Sequence, residues 1–233
     1  MFDDRVQSYD FAFDRSYQND PRNKFLERIG RGNRVLEVGC ATGQVSAYMT
    51  QELGCEVVGI ELSAEAARHA ERWCSEVIVA DIEKDALERV KGLFDVVTFG
   101  DVLEHLIAPG AVLSRCKRVL KPHGFILISI PNIAHYSIRL SLLRGKFEYR
   151  QYGIMDRTHL RFFTLQSARR MIEEAGFLVQ DFDLVYITRG MRFITAGGRL
   201  ERLVKKRFPE LVGYQFVFKA AIRREETDGR PAS

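Results

Sequence analysis

The stretch that most constrains this chain is Val35-Leu-Glu-Val-Gly-Cys-Ala-Thr-Gly-Gln44. It reads as a short buried strand, Val35 to Val38, that breaks at Gly39 into a tight loop and opens a helix near Gln44. Gly39 and Gly43 let the backbone turn sharply and approach a ligand with no Cβ in the way. Glu37 is an acid inside the strand that feeds the loop, and burying it asks for a polar or cationic partner.

The same beat repeats downstream. Apolar runs at Glu56–Ile60, Val77–Ala80, Phe94–Phe99 and Phe125–Ile130 read as strands. Between them lie helical patterns: Gln44–Leu53 stopped at Gly54, Ser63–Cys74 capped by Ser63, Lys84–Val90, and Pro109–Leu120. Lys121-Pro-His-Gly124 reads as a turn. Wholly apolar strands alternating with helices predict a parallel sheet covered on both faces, with right-handed crossovers, hence a doubly wound α/β fold. After Pro131 the rhythm breaks. Residues 132–161 and 188–212 read as insertions, separated by a Thr164-capped helix to Ala175 and a strand, Phe177–Tyr186. Tyr214–Ile222 is the last strand. Residues 1–30 form an aromatic, polar extension with a helix at Pro21–Ile29, read first as packing on the core, with Tyr9 or Tyr17 closing over the ligand as the second choice. Residues 224–233 carry no periodicity and read as a disordered tail. The whole is read as one domain.

Composition narrows the function classes. A net charge of +4 is too small to argue for nucleic acid as the partner. No apolar run nears the ~18 residues that span a bilayer, and Met-Phe-Asp-Asp-Arg lacks the form of a secretory signal. Cys40, Cys55, Cys74 and Cys116 show no CxxC and no metal spacing, so they read as small buried side chains in a cytoplasmic, reducing setting, and no metal is expected.

Ligands of an open parallel sheet sit at the strands' carboxyl ends. Glu61, Asp81 and Asp101 follow strands two, three and four and, with Glu37, describe an electronegative crevice. A dinucleotide loop needs G-x-G-x-x-G, but the second and third positions here are Ala41 and Gln44. No Gly-Lys-Ser/Thr follows, so a phosphate-binding P-loop is excluded. A ligand with a ribose, an adenine and a cationic end fits better.

Val35-Leu-Glu-Val-Gly-Cys-Ala-Thr-Gly43 resembles motif I of the class I S-adenosylmethionine-dependent methyltransferases. Val58-Gly-Ile-Glu61, Val79-Ala-Asp81, Phe94-Asp-Val-Val-Thr-Phe-Gly-Asp-Val-Leu-Glu-His105 and Arg118-Val-Leu-Lys-Pro-His-Gly124 extend the resemblance over roughly residues 31–131. The Leu-Glu-His block is similar to the ubiquinone-biosynthesis O-methyltransferase group. The resemblance implies a seven-stranded, mostly parallel sheet with an antiparallel last strand and S-adenosylmethionine as methyl donor. It implies that Glu37, Gly39, Cys40, Ala41, Gly43 and Gln44 hold the methionine end, with the helix N-terminus near its carboxylate. Glu61 and Leu62 would face the ribose, Asp81 and Ile82 the adenine, and Gly100, Asp101 and Val102 the methionine amine. Ala41 departs from the family's usual glycine, which a negative φ at that residue would accommodate.

Methyl transfer from a sulfonium is an in-line displacement in which alignment does much of the work, although an aliphatic hydroxyl also needs a general base. Of the five histidines, His69 and His123 fall in a helix and a turn, whereas His105, His135 and His159 fall near the crevice or the first insertion. Asp156-Arg-Thr-His-Leu-Arg-Phe-Phe-Thr164 predicts His159 as base with Asp156 orienting it, His105 beside the site, and Arg157 or Arg161 on an anionic acceptor. The alternative is a salt-bridged hinge holding the insertion to the core. Residues 199–211 carry one apolar and one cationic helix face, which packs on its own domain or, as the second choice, on an anionic membrane surface. The expected acceptor is a small molecule with apolar and anionic parts: a sugar, a phenol or a lipid-linked glycan precursor methylated on oxygen. N-methylation and a non-catalytic cofactor-binding scaffold are the alternatives.

Overall fold

A computed structural model describes residues 21–186, 203 and 207–223. Seven strands form one sheet: β1 (Arg34–Val38), β2 (Glu56–Glu61), β3 (Glu76–Val79), β4 (Phe94–Gly100), β5 (Leu120–Pro131), β6 (Phe177–Val185) and β7 (Gln215–Ile222). Their order is β3-β2-β1-β4-β5-β7-β6. β1 to β5 pair in parallel, and β7 runs antiparallel to both β5 and β6. The Rossmann-like sheet implied by the resemblance is therefore the fold. The helices are α1 (Pro21–Ile29), α2 (Gln44–Gln51), α3 (Ala64–Ala70), α4 (Ala86–Arg89), α5 (Pro109–Cys116), α6 (Tyr136–Leu143), α7 (Leu165–Glu174) and α8 (Pro209–Val212).

The alternation of side chains along each strand sorts the core into two layers. On one face Val35, Val57, Val96 and Leu127 pack with Phe25, Leu26 and Ile29 of α1 and Met49 of α2. On the other face Leu36, Val38, Val97, Phe99 and Ile128 pack with Val112 and Leu113 of α5 and Ala168 and Ile172 of α7. Glu37 shares its face with Val35, so it looks toward α2. Ion pairs fasten α1 to the far edge of the sheet: Arg28 reaches Asp181 at 3.0 Å and Asp183 at 3.3 Å, and Lys24 reaches Asp183 at 3.0 Å.

Three sequence boundaries shift for physical reasons. The helix begun by Ser63 stops at Ala70, because Trp73 and Cys74 both donate to the Ala70 carbonyl and curl the chain back onto the Gly43 loop. The helix begun at Pro109 stops at Cys116 and tightens into a 3-10 turn, Lys117–Val119. Lys121–Gly124, expected as a turn, lies within the long strand β5 as an irregularity in its pairing with β4. Lys121 is held there by Asp95 at 2.8 Å, and a Cβ on Gly124 would come within 2.9 Å of the Phe94 carbonyl oxygen. Most of 188–212, the tail from 224, and Tyr9 and Tyr17 lie outside the described residues. Of residues 199–211, expected as one amphipathic helix, Leu203 and Phe208 are described and exposed, and Phe208 lies outside helix, just ahead of α8. No helix among the described residues is long and apolar enough to cross a membrane.

Candidate active site

Strand order reverses between β1 and β4, which opens a crevice at their carboxyl ends. From β1 comes the Gly39–Gly43 loop. Gly39 and Cys40 both donate to the Ile60 carbonyl, at 2.8 and 3.3 Å, and Gly43 donates to the Cys40 carbonyl at 2.8 Å. Gly39 and Gly43 have φ of 74° and 81°. A Cβ on Gly39 would stand 2.6 Å from Val102 Cγ2, and one on Gly43 2.8 Å from Ala70 Cα. The loop is thus drawn tightly between α3 and the end of β4. The buried alanines of α3, Ala66, Ala67 and Ala70, permit that approach.

Ala41 corrects one expectation: its φ is 48°, in the left-handed region rather than negative. The conformation costs a methyl-bearing residue ~1 kcal/mol. It is held by the Ala41 N–H, which donates to Glu61 Oε2 at 3.0 Å. Glu61 Oε1 accepts from the Ser63 N–H at 2.8 Å. Each carboxylate oxygen is pinned by one backbone donor and retains a further lone pair, a geometry suited to a vicinal diol. Asp81 Oδ1 accepts from the Glu83 N–H at 2.9 Å, and Lys84 approaches its other oxygen at 3.3 Å. Ile82 is buried beside it, whereas Leu62 is 64% exposed.

Glu37 is buried and accepts a hydrogen bond from Ser46 on α2. Burial pushes its carboxyl up to about 8, with the Ser46 bond opposing and the neighbouring Cys74 and Glu61 adding slightly. Its cross-strand partner Thr98 is buried too, with an unpaired hydroxyl. At the end of β4 Gly100 is exposed, and Asp101 is again left-handed, at φ 55°. Asp101 N–H donates to Ser129 Oγ at 3.0 Å; that hydroxyl donates to Asp101 Oδ1 at 3.1 Å, as does the Gln215 side-chain amide. Gln215 starts the last strand and carries no local signal that would single it out. Only the β5–β7 register brings it here. Glu37, Glu61, Asp81 and Asp101 thus stand at or just past the carboxyl ends of neighbouring parallel strands, around the Gly39–Gly43 loop.

The acceptor side differs more from expectation. Asp156 does not orient His159: its Oδ1 takes the Thr158 N–H and hydroxyl, at 2.8 and 2.7 Å, closing a local turn. The His159 ring is set instead by Nδ1 on the Ile154 carbonyl at 3.1 Å. The acid near its Nε2 is Glu104, at 4.0 Å, which sequence reasoning passed over although it stands inside the Leu-Glu-His block. Burial, with Asp101 adding, holds the Glu104 carboxyl well above the usual range, and burial holds His159 below its ordinary value. His105 lies in the 3-10 turn Leu103–His105, its ring 4.8 Å from that of His159. His135 is a buried cap on α6, accepting from the Ser137 N–H. Arg161 donates twice to the Ile107 carbonyl, while Leu160 and Arg161 N–H groups both donate to the Glu104 carbonyl at 2.9 Å. At Leu160 and Arg161 the segment is fastened to the 104–107 turn through carbonyl acceptors, not through the carboxylates of a salt-bridged hinge. Arg157 stays exposed.

Similarity to known proteins agrees with this geometry. The family model described as a methyltransferase domain matches residues 11–181. The chain belongs to that family. The methyltransferase is 30% identical over 168 residues to a ubiquinone biosynthesis O-methyltransferase of Burkholderia pseudomallei (strain 1710b), covering 70% of this chain and 72% of the relative. It is 40% identical over 174 residues to the protein of the same name from Burkholderia cenocepacia, covering 72% of each. In fold it is similar to a SAM-dependent methyltransferase from Archaeoglobus fulgidus, with a TM-score of 0.63, 19% identity, and 92% and 97% of the two chains covered.

The loop of this methyltransferase gives a stability test. Gly43→Ala should destabilise it by about 2–4 kcal/mol, from left-handed strain plus the clash with Ala70. Gly54→Ala, with φ of 65° and nothing within 4 Å, should cost only ~1 kcal/mol. Equal unfolding midpoints for the two variants in urea would contradict the packing described.

Proposed function

We propose that this methyltransferase transfers the methyl group of S-adenosylmethionine to a hydroxyl of a small, largely apolar acceptor, a phenol being the best fit. S-adenosylmethionine supplies an electrophilic methyl on a sulfonium sulfur. Glu61 accepts from both ribose hydroxyls, Asp81 and Ile82 bind the adenine edge, and exposed Leu62 gives it an apolar surface. Glu37, Asp101 and the Gly39–Gly43 backbone take the amino-acid end, with Cys40, Ala41, Gln44, Gly100 and Val102 completing the cradle.

The observation that carries the oxygen-acceptor reading is the corner formed by Glu104, His105 and His159 just beyond Asp101. His159 is buried, neutral at physiological pH, and has its Nδ1 engaged with Ile154, so Nε2 is its acceptor nitrogen. In this reading Nε2 receives the acceptor's proton as the new C–O bond forms. The rings of Phe162, Phe147 and Tyr149 follow one another at 5.6–6.4 Å from the corner outward, an aromatic approach suited to a flat ring. Exposed Arg150 and Arg157 near it suit an anionic substituent. The names of the curated relatives support O-methylation, and four free cysteines suit a reducing, cytoplasmic setting.

The test is formation of S-adenosylhomocysteine from S-adenosylmethionine with a panel of phenols, sugars and amines. Phenols should turn over fastest, and His159→Ala should lower turnover by ~100-fold with affinity for S-adenosylhomocysteine within about twofold of wild type. Turnover confined to amines, or full activity in His159→Ala, would reject the assignment. No turnover with any acceptor despite tight S-adenosylhomocysteine binding would favour the scaffold alternative.

A further inference from the structure

We propose that Cys40 and Cys74 form a reversible, peroxide-driven disulfide that ties the donor loop to the turn after α3 and weakens donor binding. The disulfide itself stands apart from the donor reading; only its effect on affinity rests on it.

Cys40 is the second residue of the Gly39–Gly43 loop, and its N–H donates to the Ile60 carbonyl at 3.3 Å. Cys74 lies in the turn after α3, where its N–H donates to the Ala70 carbonyl at 3.0 Å and brings it back toward the loop. The two side chains converge on Gly59 of β2. A Cβ on Gly59 would stand 2.6 Å from Cys40 Sγ and 3.4 Å from Cys74 Sγ, so the missing side chain lets both sulfurs share one place. The pair is separated in sequence by α2, β2 and α3, which is why cysteine spacing does not reveal it.

The two thiols are unequal in the way that attacking and resolving cysteines are. Cys40 is buried, whereas Cys74 is partly open to solvent. Contact with Cys40 lowers the Cys74 thiol against the pull of burial, and Ser46 lowers it further. Contact with Cys74, followed by burial, pushes the Cys40 thiol up. Cys74 therefore supplies the thiolate, and Cys40 keeps its proton. Cys55 and Cys116 are buried and burial pushes both thiols up, as in inert structural cysteines.

The oxidant is hydrogen peroxide. The Cys74 thiolate attacks one peroxide oxygen, the O–O bond breaks, and the departing hydroxide takes up the proton that Cys74 released. A sulfenic acid remains on Cys74. The Cys40 sulfur then attacks the Cys74 sulfur: the S–S bond forms, the S–O bond breaks, and hydroxide leaves as water with the Cys40 proton. Two thiols are oxidised, and one peroxide is reduced to two waters. Closing the bond brings the sulfurs to ~2 Å and draws on the Cys40 main chain. Cys40 stands between Gly39 and Ala41, both left-handed, and the Ala41 N–H is the one held by Glu61. The loop cannot follow Cys40 without giving up that bond. By linkage, a bound donor that fixes the loop disfavours the disulfide.

The experiment treats reduced full-length protein with hydrogen peroxide, reads intact mass and the alkylated peptide map, and titrates S-adenosylhomocysteine calorimetrically before and after. Wild type should lose the mass of two hydrogens, with the bond mapped to Cys40 and Cys74. Its affinity should fall about tenfold or more and return with dithiothreitol. Cys116→Ala should behave as wild type. Cys74→Ala should form no disulfide and keep its affinity through peroxide treatment. Cys40→Ala should halt at the Cys74 sulfenic acid, which dimedone captures. A wild type that forms no bond, or forms it between other cysteines, overturns the site. A bond between Cys40 and Cys74 with affinity unchanged overturns the effect on the donor. Failure of the reduced wild type to bind S-adenosylhomocysteine strikes the donor reading instead and leaves the disulfide result in force.

Discussion

Glu61→Ala is expected to weaken S-adenosylhomocysteine binding about a hundredfold or more. The ribose role proposed for Glu61 gives it two charge-assisted hydrogen bonds, and their loss is on the order of 3 kcal/mol after solvent exchange. A second effect adds to this, because Glu61 also ties the Ala41 and Ser63 N–H groups. Ala41 then has no carboxylate to reward its left-handed backbone, and the loop relaxes from the shape that fits the donor. Glu61→Gln, which keeps one carbonyl oxygen, should fall between the two. Calorimetric titration reads the affinities, and circular dichroism confirms that both variants fold. Affinity within threefold of wild type in folded Glu61→Ala would remove this residue from the donor site.

The second large effect concerns pH. Glu37 titrates at about 8 in the folded protein and near 4.5 in an ordinary carboxyl. Below about 4.5 both folded and unfolded chains carry the proton, and the group costs nothing. As pH rises from there toward 8, the unfolded chain ionises freely while the folded one keeps its proton, so stability is lost across that window and levels off above it. The loss is on the order of a few kcal/mol, set mainly by burial, with Ser46 opposing it and Cys74 and Glu61 adding slightly. Free enzyme should therefore melt at lower temperature at pH 8 than at pH 5.5, and Glu37→Gln should flatten that slope. A cationic amine beside Glu37 favours the ionised form, so S-adenosylhomocysteine binding at pH 7 should release a proton. Titrations in buffers of different ionisation enthalpy would detect it. An identical slope in Glu37→Gln, with no proton release, would show that Glu37 does not meet the ligand's charge.

The residues proposed for the donor stand out in the sequence because each is marked locally. Gly39, Glu61, Asp81 and Asp101 each sit at or just past a strand end and Gly43 just ahead of α2, where period and punctuation mark them, and the sheet brings the ends together. Ala41 was misjudged because its φ is decided by Glu61, a partner twenty positions away. The acceptor half depends on contacts that no period encodes. Asp156 and His159 are three residues apart, which suggested a pair, yet a tight turn spends the carboxylate on Thr158. Glu104 was hidden within a motif already explained. Gln215 reaches Asp101 only through antiparallel pairing across more than a hundred positions.

That last strand has a consequence for how the protein is made. β7 fills the gap between β5 and β6, yet it is synthesised after both. Until residues 215–222 emerge, β5 presents an open edge, and an open edge invites pairing with another chain. At that moment Asp101 also lacks the Gln215 amide. A chain at that stage is thus open to mispairing, and Asp101 gains its Gln215 partner only when β7 enters the sheet.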